Sequence, residues 1–130
     1  MKKINLSISG CMGRMGKQLI KSLKNNKNFK LVSLTENTII NKKILGIKPS
    51  INTFDAFKKS NVIIDFTVPK CTLEILKIAA KLKKRVVIGT TGFSEREENL
   101  IKNFSKKIPI IKAGNMSLGV NLLIYLTEIT

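Results

Sequence analysis

The chain has 130 residues, with no histidine or tryptophan, only two cysteines, and eight acidic residues against 24 basic ones. Without histidine there is no imidazole to ligate a metal or to move a proton near neutral pH. Cys11 and Cys71 form no CxxC pair, so neither a zinc nor an iron–sulfur site is expected. They read as two buried free thiols in a reducing compartment. No apolar run approaches the roughly 20 residues of a membrane-spanning helix. The start, Met1-Lys2-Lys3-Ile4-Asn5-Leu6-Ser7-Ile8-Ser9, is too short and too alternating for a signal peptide. A cytoplasmic protein with no membrane contact is expected.

Aromatics are also scarce, at six Phe and one Tyr. That matters because a net charge of +16 would otherwise suggest a nucleic-acid surface. Such surfaces combine clustered cations with aromatic stacking platforms. Here the lysines are spread along the whole chain, without a basic tail or an arginine-rich helix. They are read as solvated faces that give a general attraction for anionic ligands, and no nucleic-acid partner is expected.

What is present is an alternation of short apolar runs with helical patterns. Strands are expected at Ile4–Ser9, Phe29–Thr35, Val62–Phe66, Arg85–Ile88 and Ile108–Lys112. Met15, Leu19, Ile20 and Leu23 lie on one face at helical spacing after the first strand. A short helix is read over Thr53–Lys58, and one from Pro69 to about Lys83 with Leu73, Leu76, Ile78 and Leu82 as apolar positions. Ser94 and Glu97 form a capping box that opens a helix running to about Lys106. Val62-Ile63-Ile64 is apolar without alternation, as in a strand buried on both faces of a parallel sheet. The pattern predicts one α/β domain over residues 1–130, a Rossmann-type doubly wound parallel sheet with right-handed crossovers.

Such sheets bind ligands at the carboxyl ends of their strands, and the informative residues fall there. Gly10, Gly13 and Gly16 lie between the first strand and its helix, spaced GxxGxxG, with Cys11, Met12, Arg14 and Met15 between them. A tight turn, a close backbone approach and the free N–H groups of a helix start together suit a pyrophosphate. Glu36 follows the second strand, 20 positions after Gly16, where an acid binds ribose hydroxyls. Asn37 and not arginine follows it, which favours a cofactor without a 2′-phosphate, although Lys42 and Lys43 lie nearby.

Three further strand-end motifs are Asp65-Phe66-Thr67-Val68-Pro69, Gly89-Thr90-Thr91-Gly92-Phe93 and Ala113-Gly114-Asn115-Met116-Ser117-Leu118-Gly119-Val120-Asn121. Together with the glycine loop, the four motifs resemble the dihydrodipicolinate reductase family (4-hydroxy-tetrahydrodipicolinate reductase), from about Ile4 to the last residue. The resemblance implies an oxidoreductase of lysine and diaminopimelate biosynthesis. It would use NADH, NADPH or both to reduce a cyclic imine dicarboxylate. It places the pyrophosphate on Gly10–Met15 and the adenosine ribose on Glu36. Gly89, Thr90 and Thr91 would line the nicotinamide end. Ala113, Gly114, Asn115 and Met116 would contact its carboxamide, and Thr91 would also face the substrate. Asp65, Phe66 and Thr67 would line the groove beside the cofactor.

In the family a second domain follows, carrying a histidine-rich motif, a lysine and an oligomerisation sheet. A chain without histidine is expected to hold no catalytic proton donor. A last helix is read from near Gly119, apolar nearly all round through Val120, Leu122, Leu123, Ile124, Leu126 and Ile129. Such a surface is normally buried, so the chain is expected to stop short of a covering catalytic domain, with oligomers only in a full-length enzyme. The rival readings are a stand-alone dinucleotide-binding module without catalysis and a basic nucleic-acid binder.

Overall fold

The structure, a computed structural model, describes residues 2–112. Its elements are β1 (Ile4–Ser9), α1 (Arg14–Leu23), β2 (Phe29–Thr35), α2 (Phe54–Phe57) and β3 (Val62–Asp65). These are followed by α3 (Pro69–Leu82), β4 (Arg85–Ile88), α4 (Glu95–Ser105) and β5 (Ile110–Lys112). The helix expected from near Gly119 lies outside the described residues.

The five described strands form one sheet in the order β2-β1-β3-β4-β5, and every neighbouring pair is parallel. The chain winds outward from β1 in both directions. One core joins Leu19, Ile20 and Leu23 of α1 to Leu6, Ile8, Val62 and Ile64. The other joins Phe57, Ile75, Leu76, Ala79 and Ile101 to Ile63, Val86 and Ile88. Helices therefore cover both faces, as right-handed crossovers in opposite directions require. Each fully buried Leu or Ile contributes about 1.5–3 kcal/mol, so burial against the sheet, more than helix propensity, holds α1 and α3 in place.

Several boundaries shift for local reasons. β5 starts at Ile110 and not Ile108, because Pro109 has no N–H to give a ladder; its carbonyl still accepts from Val86 N at 3.1 Å. β3 ends at Asp65, one residue early, although Phe66 N still donates to Ser9 O at 3.2 Å. In β2 the register slips between Leu6 and Ser7, whose partners are Leu31 and Ser33. This bulge at Val32 puts Leu31 and Leu34 against the same core. In α3 the buried positions are Thr72, Ile75, Leu76 and Ala79; the expected Leu73, Ile78 and Leu82 are only partly buried.

The helix ends follow the sequence signals closely. Pro69 opens α3, where its missing N–H costs nothing. Ser94 Oγ accepts from Glu97 N at 3.2 Å and Glu97 Oε2 accepts from Ser94 N at 2.8 Å, completing the capping box of α4. Thr53 caps the short α2 by accepting from Ala56 N at 3.1 Å.

Candidate functional site

Reversal of winding at β1 leaves a crevice between the carboxyl ends of β1 and β3, the position where open α/β sheets bind ligands. A cleft of about 240 Å³ lies there, lined by Ser9, Gly10 and Gly13 beside β1, Glu36 and Asn37 beyond β2, and Phe66, Thr67, Val68 and Cys71 beyond β3. The glycine loop, the acid after β2 and the segment after β3 thus meet at one sheet margin.

Gly10 has φ +80°, and a Cβ there would lie 2.3 Å from Phe66 O, so the turn out of β1 requires glycine. Gly16 is needed for closeness: a Cβ on it would stand 2.1 Å from Gly10 O and 2.8 Å from Cys11 Cα. The start of α1 therefore packs directly onto the loop backbone. Gly13 differs, since a Cβ there would meet only Gly10 O, at an ordinary 3.4 Å.

The loop's N–H groups divide into two sets. Gly10 N and Cys11 N donate to Thr35 O at 3.0 and 3.2 Å, and Gly13 N donates to Gly10 O at 3.1 Å. These three hold the loop and are not free for a ligand. Met12 N donates to Glu36 Oε2 at 3.0 Å. The N–H groups of Arg14, Met15 and Gly16 open α1, whose first intrahelical bond runs from Lys17 N to Gly13 O at 3.0 Å. No side chain caps that end, so it keeps its orphan donors and the positive end of the helix dipole. Within Gly10 to Met15, the loop expected to cradle an anion, the N–H groups left without an intrahelical or loop partner are those of Arg14 and Met15.

Cys11 has its side chain fully buried in the core with α1; its contribution to the site is backbone. Burial, and then the negative charge of Glu36, push its thiol above the ordinary value, so it is not a reactive thiolate. Cys71 departs from the expectation of two buried thiols: it is half-buried and lines the cleft. Burial raises it too, with smaller contributions from the charges of Asp65 and Glu74. Its sulfur accepts from Asn52 Nδ2 at 3.1 Å, and Asn52 Oδ1 accepts from Ser9 Oγ at 3.2 Å. Asn52 thus ties α3 to the end of β1 beneath the cleft. Nothing in the sequence marked it, because it lies in a polar loop without periodicity.

The segment after β4 lies further along the same margin. Thr91 is exposed, whereas Thr90 is 4% exposed. Thr90 Oγ1 accepts from Thr67 N at 2.9 Å and donates to Asp65 Oδ2 at 3.2 Å. The Thr90 hydroxyl is therefore turned inward. A Cβ on Gly89 would lie 2.0 Å from the Phe66 ring; that glycine makes room for a neighbouring side chain. Asp65 was expected to line the groove, but it is fully buried and does not. Ala113, Gly114, Asn115 and Met116 lie outside the described residues. Among those residues no group of three or more Cys, Asp or Glu side chains is placed to hold a metal, and no helix is long and apolar enough to cross a membrane.

A family model described as dihydrodipicolinate reductase, N-terminus, matches residues 4–116. The chain belongs to this family. It is 78% identical over 130 residues to the 4-hydroxy-tetrahydrodipicolinate reductase of Pelagibacter ubique, matching all of this chain and 50% of that protein. The reductase of Buchnera aphidicola from Acyrthosiphon pisum is 44% identical over 140 residues, covering 99% of this chain and 52% of its own length. The chain therefore spans about half the length of the curated relatives it matches. Among solved structures, a dipicolinate-bound dihydrodipicolinate reductase from Paenisporosarcina sp. TG-14 superposes with a TM-score of 0.73 at 23% identity. That match covers 98% of this chain and 53% of that one. An imine reductase variant from Myxococcus stipitatus, in complex with NAD+, gives 0.68 at 20% identity over 92% of this chain and 43% of its own. At these identities the two structures support the fold alone, and both share the Rossmann-like sheet.

Proposed function

We propose that this chain is the nicotinamide-dinucleotide-binding part of a 4-hydroxy-tetrahydrodipicolinate reductase acting in lysine and diaminopimelate biosynthesis. One observation carries the reading. In a member of this family, the uncapped start of α1 and the Glu36 carboxylate border one cleft at the sheet's switch point.

The residues fit such a cofactor. The N–H groups of Arg14 and Met15, with the Arg14 guanidinium, hold the pyrophosphate. Glu36 exchanges its bond to Met12 N for the adenosine ribose hydroxyls, and Gly13 leaves the backbone open to close approach. Gly89 and Thr91 border the nicotinamide end; Ala113, Gly114, Asn115 and Met116 contact its carboxamide. Thr91 faces the substrate, a small cyclic imine dicarboxylate. When bound, the cofactor supplies a hydride to the imine carbon; the chain's part is to fix the reactive ring face and exclude competing geometries. By the family resemblance, the proton that completes the reduction comes from a group outside these residues, which hold no histidine. On this reading the chain alone binds cofactor with little or no turnover, the enzyme works in the cytoplasm, and oligomers belong to the whole protein.

A carboxylate beside the ribose repels a 2′-phosphate, and Asn37 supplies no compensating charge, so NADH is the preferred cofactor, with NADPH also accepted. Parallel fluorescence titrations of the chain with NADH and NADPH test this. Saturable binding of NADH at micromolar levels, tighter than NADPH, is expected. Failure to bind either at millimolar levels rejects the proposal.

A further inference from the structure

Asp65 ends β3 with no exposed surface, and no lysine or arginine pairs with it among the described residues. Taking a carboxylate out of water without a cation is costly. Here the compensation is three threonine hydroxyls from three separate places. Thr67 Oγ1 donates to Oδ1 at 2.6 Å, Thr90 Oγ1 donates to Oδ2 at 3.2 Å, and Thr72 Oγ1 donates to Oδ2. Thr67 N closes the circuit by donating to Thr90 Oγ1 at 2.9 Å. One side chain thus joins the segment after β3, the first turn of α3 and the segment after β4.

A well-packed apolar side chain would hold these elements together at least as well as a buried charge. What it would not do is fix the two strand-end segments in one hydrogen-bonded geometry. Thr72 and Thr90 are 0% and 4% exposed, so their oxygens do not reach a ligand, whereas Thr67 is only partly buried and lines the cleft. The network meets the cleft through Thr67, and Thr91, next to Thr90, is exposed further along the same margin.

We propose that Asp65 is a positioning residue for the nicotinamide half of the cofactor, setting the segment after β3 and the Gly89–Thr91 segment at a fixed spacing through Thr67 and Thr90. The inference rests on the dinucleotide reading above and goes beyond it. Glu36 and the start of α1 serve the adenosine and pyrophosphate half; the Glu36 carboxylate accepts from Met12 N and Asn37 N and from no member of this network.

The test compares NADH with ADP-ribose, which lacks only the nicotinamide. Asp65→Asn preserves the shape and Thr90→Val removes both bonds of the Thr90 hydroxyl, to Asp65 Oδ2 and from Thr67 N, with retained folding checked by circular dichroism and urea unfolding. Both variants are expected to bind NADH about tenfold more weakly, the scale of a lost charge-assisted hydrogen bond, while ADP-ribose affinity stays within about twofold. Equal weakening of both ligands in the folded variants would mark Asp65 as a structural plug and overturn the proposal. Unchanged NADH affinity in both variants would overturn it as well. If the parent chain binds neither ligand, the dinucleotide reading fails and this inference fails with it.

Discussion

Glu36 Oε2 accepts the backbone N–H of Met12 at 3.0 Å, and Glu36 Oε1 accepts that of Asn37 at 3.1 Å. The acid after β2 is therefore already bonded to the glycine loop it faces. A ribose that replaces the Met12 contact meets a carboxylate fixed in place, with little side-chain freedom left to lose on binding.

Glu36→Ala should weaken NADH binding by roughly ten- to a hundredfold, the loss of one or two charge-assisted hydrogen bonds. It should weaken NADPH less, because the charge that repels a 2′-phosphate is gone. Paired titrations of parent and variant read both numbers. An unchanged NADH-to-NADPH ratio would show that Glu36 does not contact the ribose.

Gly13 and Gly16 separate binding from folding. A side chain on Gly16 meets Gly10 O and Cys11 Cα at 2.1 and 2.8 Å. Gly16→Ala should therefore cost about 1–3 kcal/mol, the range for overpacking, in urea unfolding. Gly13 is the N-cap of α1 in an extended conformation (φ −74°, ψ 170°) with space beside it. Gly13→Val should cost no more than about 1 kcal/mol in unfolding, the scale of exchanging an N-cap glycine for a poorer cap, and weaken NADH binding severely, through collision with the pyrophosphate. Equal NADH affinity in parent and variant would move the pyrophosphate away from this loop.

The sheet was legible because its signals are local. Val62-Ile63-Ile64, Pro69 and the Ser94/Glu97 box each state their structure within a few residues. The strand-end rule then put Gly10, Glu36 and Gly89 along one margin without knowledge of strand order. Side-chain direction was not legible. Whether Asp65 points into the groove or into the core depends on the register of β3 between β1 and β4, and one residue of register reverses it. The bulge at Val32 was hidden for the same reason. Asn52 went unseen because its partners, Ser9 and Cys71, are 43 and 19 residues away.

Lys83 ends α3 in the left-handed conformation (φ 54°, ψ 46°), while Lys84 N donates back to Ala79 O at 2.9 Å. This is a Schellman ending, which glycine fits without a Cβ penalty. Lys83 is exposed, so Lys83→Gly removes strain and little else. A gain of about 1 kcal/mol in unfolding free energy is expected. A loss would mean that the side chain makes a contribution larger than the strain it causes.

Burial pushes the Asp65 carboxyl above its ordinary value of 3.8, against the pull of the Thr67, Thr72 and Thr90 hydroxyls. The Cys71 thiol also feels this charge but is neutral through the acid range, leaving the carboxyl as the titrating partner. A raised folded pKa means that the folded chain binds this proton more tightly than the unfolded chain does. The stability so gained is fully present below about pH 3.8 and is lost as pH rises through the folded value. Asp65→Asn does not titrate, and the other carboxylates are common to both proteins. Urea unfolding of the pair from acid to neutral pH should therefore show the variant gaining on the parent as pH rises. A difference that stays flat would mean that the three hydroxyls balance burial, and one that moves toward the parent as pH rises would mean that they outweigh it.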